Sequence, residues 1–195
     1  METSTRCVMI KGGYDLERLR REVDSLADTE YLGHPGQSAY WTGVPLRNPT
    51  GATRVRLNDI RVGRCKDTEY MQKTPYIRQI LDELPAAIHT VRALKIKTGG
   101  TLNPHRDGDR YAYEGGTVCR LHLPIYTNPD VKFVIDDVEH HLEAGKLYFT
   151  DVSLMHTVHN EGNIDRVHLV IDTDATPAMR DIINAARSDI VNAAL

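Results

Sequence analysis

The sequence predicts a mainly β fold, a sandwich of jelly-roll type decorated by helices. From about residue 100 onward, short runs rich in Val, Ile, Leu and Tyr recur: TVCRLHLPI, VKFVID, KLYFTD and RVHLVIDT. Turn-forming stretches separate them, TNPD, EAG and HNEGN. Many short strands with regular turn signals are the pattern of an all-β sandwich or barrel. Amphipathic helical segments precede and follow these runs, which places helices around the sheets.

In chain order, residues 6–10 (RCVMI) read as a short strand. Residues 14–27 read as an amphipathic helix with Leu16, Leu19, Val23 and Leu26 along one face. A stretch containing Gly and Pro follows, with a strand expected around Ala39–Leu46 and a turn at Asn48–Gly51. A second helix is expected over Thr74–Leu84, where Pro75 suits a first helical turn. Residues 88–97 read as a strand ended by Gly99 and Gly100. After the β-rich stretch, TPAMRDIINAARSDIVNAAL reads as a terminal helix with Met179, Ile182, Ile183, Ala186, Ile190 and Val191 on one side.

Composition narrows the function. The 195 residues include 24 basic and 27 acidic side chains, a net charge of −3. That balance gives no electrostatic case for nucleic acid or an anionic membrane as partner. The first residues, METSTRCVMIKGG, lack a long apolar run, so neither a signal peptide nor a membrane helix is expected and a cytoplasmic chain is. Cys7, Cys65 and Cys119 are odd in number and form no CxxC pair, which argues against a disulfide framework or a structural zinc site.

The chemistry gathers in NPHRDGD and DVSLMHTVHNEGNIDRVHLVID. In an extended strand, His105 and Asp107 fall on one face, because side chains repeat every second residue. A later histidine would complete a set of two histidines and one carboxylate, the facial triad of non-haem iron(II) oxygenases. Nine histidines make some suggestive spacing expected by chance; the conjunction of HxD, a distal histidine and a following arginine is more specific. His156 and His159 compete for the distal position. His140 and His141 are expected on an exposed turn, and Asp136 and Asp151 as strand-end caps or hydrogen-bond acceptors. Arg166 lies on a strongly apolar strand, where an unpaired guanidinium is costly. It needs an anion, and 2-oxoglutarate would be one.

From about Arg92 to Asp172 the chain resembles the aspartyl/asparaginyl β-hydroxylase family, which includes bacterial proline hydroxylases. The matching elements are Gly99-Gly100, Pro104-His105-Arg106-Asp107, Cys119 to Ile125, Gly145 to Phe149 with Asp151, His156 to Asn160, and Arg166 to Asp172. Thinner matches lie upstream, at Trp41 to Arg47 and Thr74 to Ile77. The resemblance implies a double-stranded β-helix, of the jelly-roll or cupin-like kind, that binds iron(II) and 2-oxoglutarate and uses O2. It implies His105 and His156 as ligands, because the family's H-x-V/A-x-N pattern falls on His156, with Asp107 as the carboxylate. It matches Arg166 to the arginine that pairs with the far carboxylate of 2-oxoglutarate and His122 to a histidine near the co-substrate. Arg120 falls on a position that holds co-substrate or an acidic substrate group. The vertebrate-type members carry glycine where this chain has Asp107, so in this respect it looks like the free-proline hydroxylases.

These implications frame one domain over residues 1–195: helical and strand support in 1–90, a metal-binding core in 91–175 and the helix in 176–195. The implied activity is hydroxylation of an unactivated C–H in a small-molecule or peptidyl amino-acid substrate, with release of succinate and CO2. A metal-binding cupin-like protein without oxidative activity, which would not need Arg166, and a zinc hydrolase using the same ligands, active with zinc and indifferent to oxygen, are the competing readings. Arg120 also reads as half of a buried ion pair, but the carboxylate-binding role is preferred because His122 shares its strand face. Arg110, in the loop 106–116, and Trp41 are candidate substrate contacts. That loop reads equally as a lid or as a solvated connection.

Overall fold

A computed structural model of the chain describes residues 5–26, 31–33, 40–55 and 64–193. Within them the order is β1 (Cys7–Lys11), α1 (Leu16–Asp24), β2 (Leu32–Gly33), β3 (Trp41–Asn48), β4 (Lys66–Asp67), α2 (Pro75–Asp82), β5 (Ile88–Ile96), β6 (Thr101–His105), β7 (Val118–Tyr126), β8 (Val131–Ile135), β9 (Val138–His140), β10 (Leu147–Thr150), β11 (His156–Asn160), β12 (Arg166–Asp174) and α3 (Pro177–Ala193). The larger sheet runs β1-β10-β7-β12-β5-β3-β2, with β4 beside β3, and the smaller runs β6-β11-β8-β9. All pairings are antiparallel. The molecule is mainly β, of jelly-roll type.

Local chemistry explains the element ends. Asp15 caps α1, its carboxylate accepting from the Arg18 N–H at 3.0 Å. Pro75 opens α2. Asn48 makes the turn after β3, its Oδ1 accepting from the N–H groups of Thr50 and Gly51 at 3.0 and 2.8 Å. At the β5–β6 turn, Gly99 has φ +72°, and a Cβ on Gly100 would lie 2.7 Å from the Lys97 carbonyl oxygen. Some readings move. The chain reverses after β8 through Asp136 and Asp137, both at positive φ, so His140 sits on strand β9 rather than on an exposed turn. The expected strand at Ala39–Leu46 is β3, two residues on; Ala39 itself, like Ala27 at the end of the first predicted helix, lies outside the described residues.

The large sheet is buried on both faces, and the period-2 alternation sorts its residues into two cores. Leu121, Leu123, Ile125, Val167, Leu169 and Ile171 turn towards the helical side, among Leu19, Ile77, Ile80, Met179 and Ile183. Truncating Leu121 or Phe149 in that core to Ala should cost about 2–5 kcal/mol. The opposite parity faces the small sheet, where Trp41, Leu94, Ile96, Phe133, Ile135, Val158 and Val170 pack together. The segment before residue 90 supplies both flanks of this sheet, β1 on one side and β3 with β2 on the other. The site lies between the sheets.

Candidate metal centre

Adjacent strands bring the two histidines together. β6 and β11 pair with His105 opposite His156, and the rings lie 4.2 Å apart between centroids. Asp107 follows just beyond β6. Its N–H donates to the Val152 carbonyl at 2.9 Å, which fixes the carboxylate beside the imidazoles. Asp107 Oδ1 is 3.5 Å from His105 Nε2, and Oδ2 is 3.8 Å from His156 Nε2. Among the described residues these three form a group able to hold a metal ion, with all donor atoms within 4.8 Å of one another.

The tautomers suit that role. His105 Nδ1 lies 2.7 Å from the Asn103 carbonyl and His156 Nδ1 3.0 Å from the Leu154 carbonyl. A carbonyl accepts only, so each neutral ring carries its proton on Nδ1 and turns the Nε2 lone pair towards the shared centre. Burial lowers the pKa of His156 and favours the neutral, ligating form. His159 points away, with Nδ1 3.3 Å from Thr101 Oγ1 and Nε2 3.4 Å from Thr157 Oγ1. It lies three residues from His156 and therefore on the other strand face. Asp151 is a cap, accepting from the N–H groups of Ser153 and Tyr113.

A cavity of about 210 Å³ opens on the three donors. Trp41, Leu94, Phe133, Val158 and Val170 give it apolar walls, and Arg92, Arg120, His122 and Arg166 bring polar groups into it. Register accounts for this: Val170 of β12 stands opposite both Arg92 of β5 and His122 of β7, and Asp172 stands opposite Arg120. Residues 166, 168, 170 and 172 share the inward face of β12.

The two sides of this polar lining differ. Asp172 is fully buried and accepts from Arg120 Nε at 2.7 Å, Arg120 Nη2 at 3.0 Å, Arg92 Nη2 at 3.0 Å and Thr90 Oγ1 at 2.6 Å. Burial pushes its pKa up, but the charges of Arg120 and Arg92 outweigh that and bring it down from 3.8 to about 2. Arg120 also donates to the Tyr111 hydroxyl at 3.0 Å and, through Nη1, to Asp107 Oδ2. Arg166 is just as deeply buried, yet it meets no carboxylate among the described residues. Its Nη2 donates to His168 Nδ1 at 2.8 Å, and its Nε has no hydrogen-bond partner. Burial pulls its pKa to about 9, which leaves it cationic at neutral pH. His122 and His168 are held neutral, mainly by burial and next by the charge of Arg166.

A family model of aspartyl/asparaginyl β-hydroxylases matches residues 14–176. The chain belongs to this family. Two curated relatives are similar: L-proline cis-3-hydroxylase 1 of Streptomyces sp, 26% identical over 166 residues, and L-proline cis-4-hydroxylase of Rhizobium meliloti (strain 1021), 26% identical over 167. The matches cover 81% and 84% of this chain but 56% and 59% of those proteins, so the chain spans somewhat over half the length of the curated relatives it matches. Among solved structures, HygX of Streptomyces hygroscopicus with nickel and 2-oxoglutarate bound shares the fold, with TM-score 0.55 and 10% identity over 88% of this chain and 84% of that one. In this family member no helix of the described residues is long and apolar enough to cross a membrane.

Of the residues singled out in the sequence, His105, Asp107, His156, His122, Arg120, Arg166 and Trp41 all line the one cavity. Arg110 does not: it is exposed on the 3-10 turn Asp109–Tyr111, its guanidinium 5.8 Å from the centre of the Tyr111 ring. Arg120 reaches the cavity with four of its five N–H groups already donated. These bonds are those of the buried ion-pair reading. Nor is the loop 106–116 a simple solvated connection, since Tyr111 is buried against Arg120 and Arg180 of α3 donates to the carbonyls of Tyr113, at 2.8 Å, and Gly116. Sequence reasoning missed Arg92, His168 and Asp172. The available signal was parity, since Asp172 lies on the same face of β12 as Arg166.

Proposed function

We propose that this chain is an iron(II)- and 2-oxoglutarate-dependent oxygenase that hydroxylates an unactivated C–H of a free, amino-acid-derived or peptidyl amino-acid substrate. The observation that carries the reading is one cavity holding both the His105–Asp107–His156 donor set and a buried cation, Arg166, with no carboxylate against it among the described residues. A metal-binding protein or a zinc hydrolase whose ligand carries no anionic group gives Arg166 no task. The names of the curated relatives, proline hydroxylases, and the 2-oxoglutarate in HygX support the same reading.

His105, Asp107 and His156 would hold iron(II), nitrogen and oxygen donors that suit this ion while leaving the remaining positions open. When bound, iron and 2-oxoglutarate supply the oxidative chemistry: one atom of O2 ends in succinate beside CO2, the other as hydroxyl on the substrate carbon. Arg166 would bind the far carboxylate of 2-oxoglutarate by a charge-assisted, two-pronged hydrogen bond, which a guanidinium makes better than an ammonium. His122, held neutral, lies beside His168 on the cavity wall and would border the co-substrate. Trp41, Leu94, Phe133 and Val158 exclude water from the reacting centre.

The test is substrate-dependent succinate formation by anaerobically iron-loaded protein, with L-proline first in a panel of free amino acids and short peptides. His156→Ala and Asp107→Ala should each abolish turnover. Full turnover by either variant would remove the ligand assignment, and indifference to O2 with activity on zinc would favour the hydrolase.

A further inference from the structure

We infer that Asp172, acting through Arg120, is a positioning residue for Asp107, the carboxylate of the metal site. The inference rests on the metal-site reading above and adds a residue that touches neither metal nor co-substrate. Asp172 is fully buried on β12 and grips Arg120 with both oxygens, from Nε at 2.7 Å and from Nη2 at 3.0 Å. Two parallel bonds fix the guanidinium plane as well as its position. Thr90 and Arg92 hold the same carboxylate, at 2.6 and 3.0 Å. Tyr111 completes the clamp, its hydroxyl on Nη2 and its ring 4.5 Å from the guanidinium carbon.

Arg120 is thereby left with Nη1 aimed at Asp107, and Nη1 donates to Asp107 Oδ2. Oδ1 remains, 3.5 Å from His105 Nε2 and turned towards the donor set. Oδ2, held by Arg120, stands 3.8 Å from His156 Nε2, so the carboxylate is kept beside the donor set, with Oδ1 the oxygen that Arg120 leaves unengaged. The charges agree, since Arg92 and Arg120 are matched by Asp172 and Asp107 within the cluster. No co-substrate carboxylate is needed to neutralise it, whereas Arg166 lacks an anion among the described residues.

The test is a titration of the folded apoprotein with cobalt(II) alone, followed by visible absorption, and then of the cobalt-saturated protein with 2-oxoglutarate. Asp172→Asn and Arg120→Lys should weaken cobalt binding about 10- to 100-fold, the usual range when a partner of a metal ligand is lost. At saturating cobalt, 2-oxoglutarate binding should stay within about twofold in Arg120→Lys. The opposite pattern, unchanged cobalt affinity with weakened 2-oxoglutarate binding, would overturn the inference and return Arg120 to the co-substrate. Where Asp172→Asn does not fold, Thr90→Val and Tyr111→Phe each remove one hydrogen bond from the clamp and should weaken cobalt binding several-fold; unchanged affinity in both overturns it too. Asp107→Ala is the control: if it binds cobalt as tightly as the unaltered protein, the metal-site reading itself is what fails.

Discussion

At one end of the cavity Arg92 and Arg120 share Asp172, and with Asp107 they make a cluster whose charges cancel. At the other end Arg166 lies as deep, hydrogen-bonded to His168 and with no carboxylate against it among the described residues. Both sets hang from β12, on one face of one strand. A guanidinium buried beside its carboxylate belongs to the framework; one buried without a carboxylate holds a place for an anion that arrives later. The difference separates two arginines that look alike in sequence, each on an apolar strand with a histidine two residues on.

The largest effect expected of this contrast is one of sign. Asp172→Asn takes the carboxylate from Arg92 and leaves Arg120 with Asp107 alone, which should cost about 3–5 kcal/mol. For a chain of this size that is a fall in Tm of roughly 6–20 °C. Arg166→Met removes a buried charge that lacks a counter-ion and fills similar space. It should raise the Tm of the co-substrate-free protein by a few degrees, on the order of 1–3 kcal/mol. Adding 2-oxoglutarate to the cobalt-loaded proteins should then raise the Tm of the unaltered protein further, by mass action, and that of Arg166→Met much less. Destabilisation by both substitutions would erase the distinction between the two ends.

A smaller effect is set by pH. Asp172 has its carboxyl depressed from 3.8 to about 2. A depressed carboxyl contributes stability that is fully present above its unfolded pKa and is lost as pH falls through the folded value. The stability gap between the unaltered protein and Asp172→Asn, from urea midpoints, should be constant above about pH 5 and narrow as pH falls below about 4. Subtracting the variant removes the titration of the metal-site residues, which both proteins share. A gap as wide at about pH 2.5 as at about pH 6 would mean that Asp172 is not the charged anchor of its cluster.

How much of this was legible in the sequence follows from what each signal encodes. β7, β10 and β12 showed themselves as runs rich in apolar residues closed by turns, because strands buried on both faces carry few polar side chains. β9 did not: three residues after a turn of Asp136 and Asp137 carry too little pattern. The donor set was legible through HxD and HTVHN. What the sequence left open was the partner of each cation. Arg120 bonds to Asp172, which is 52 residues away and opposite it only through the β7–β12 register. Such a pairing is a property of the sheet, and local spacing does not carry it. The reading of His140 erred for the same reason, since exposure depends on what packs alongside.

The smallest expected effect concerns the two residues the structure sets aside. His159→Gln should change stability by no more than about 0.5 kcal/mol and leave cobalt affinity unaltered, because its ring bonds to Thr101 and Thr157 on the far strand face. Arg110→Ala should leave kcat and KM for a free amino acid within about twofold, as its guanidinium lies on the surface over Tyr111, outside the cavity lining. The second variant also discriminates between substrates. A free amino acid enclosed by Trp41, Phe133 and Val170 does not extend to the exposed turn, whereas a peptide continuing out of the cavity mouth would pass over it. An Arg110→Ala variant with unchanged kinetics on free substrates but a raised KM on peptides would place the chain's substrate outside the walls that Arg120 and Arg166 define. Equal KM values on both would keep it inside.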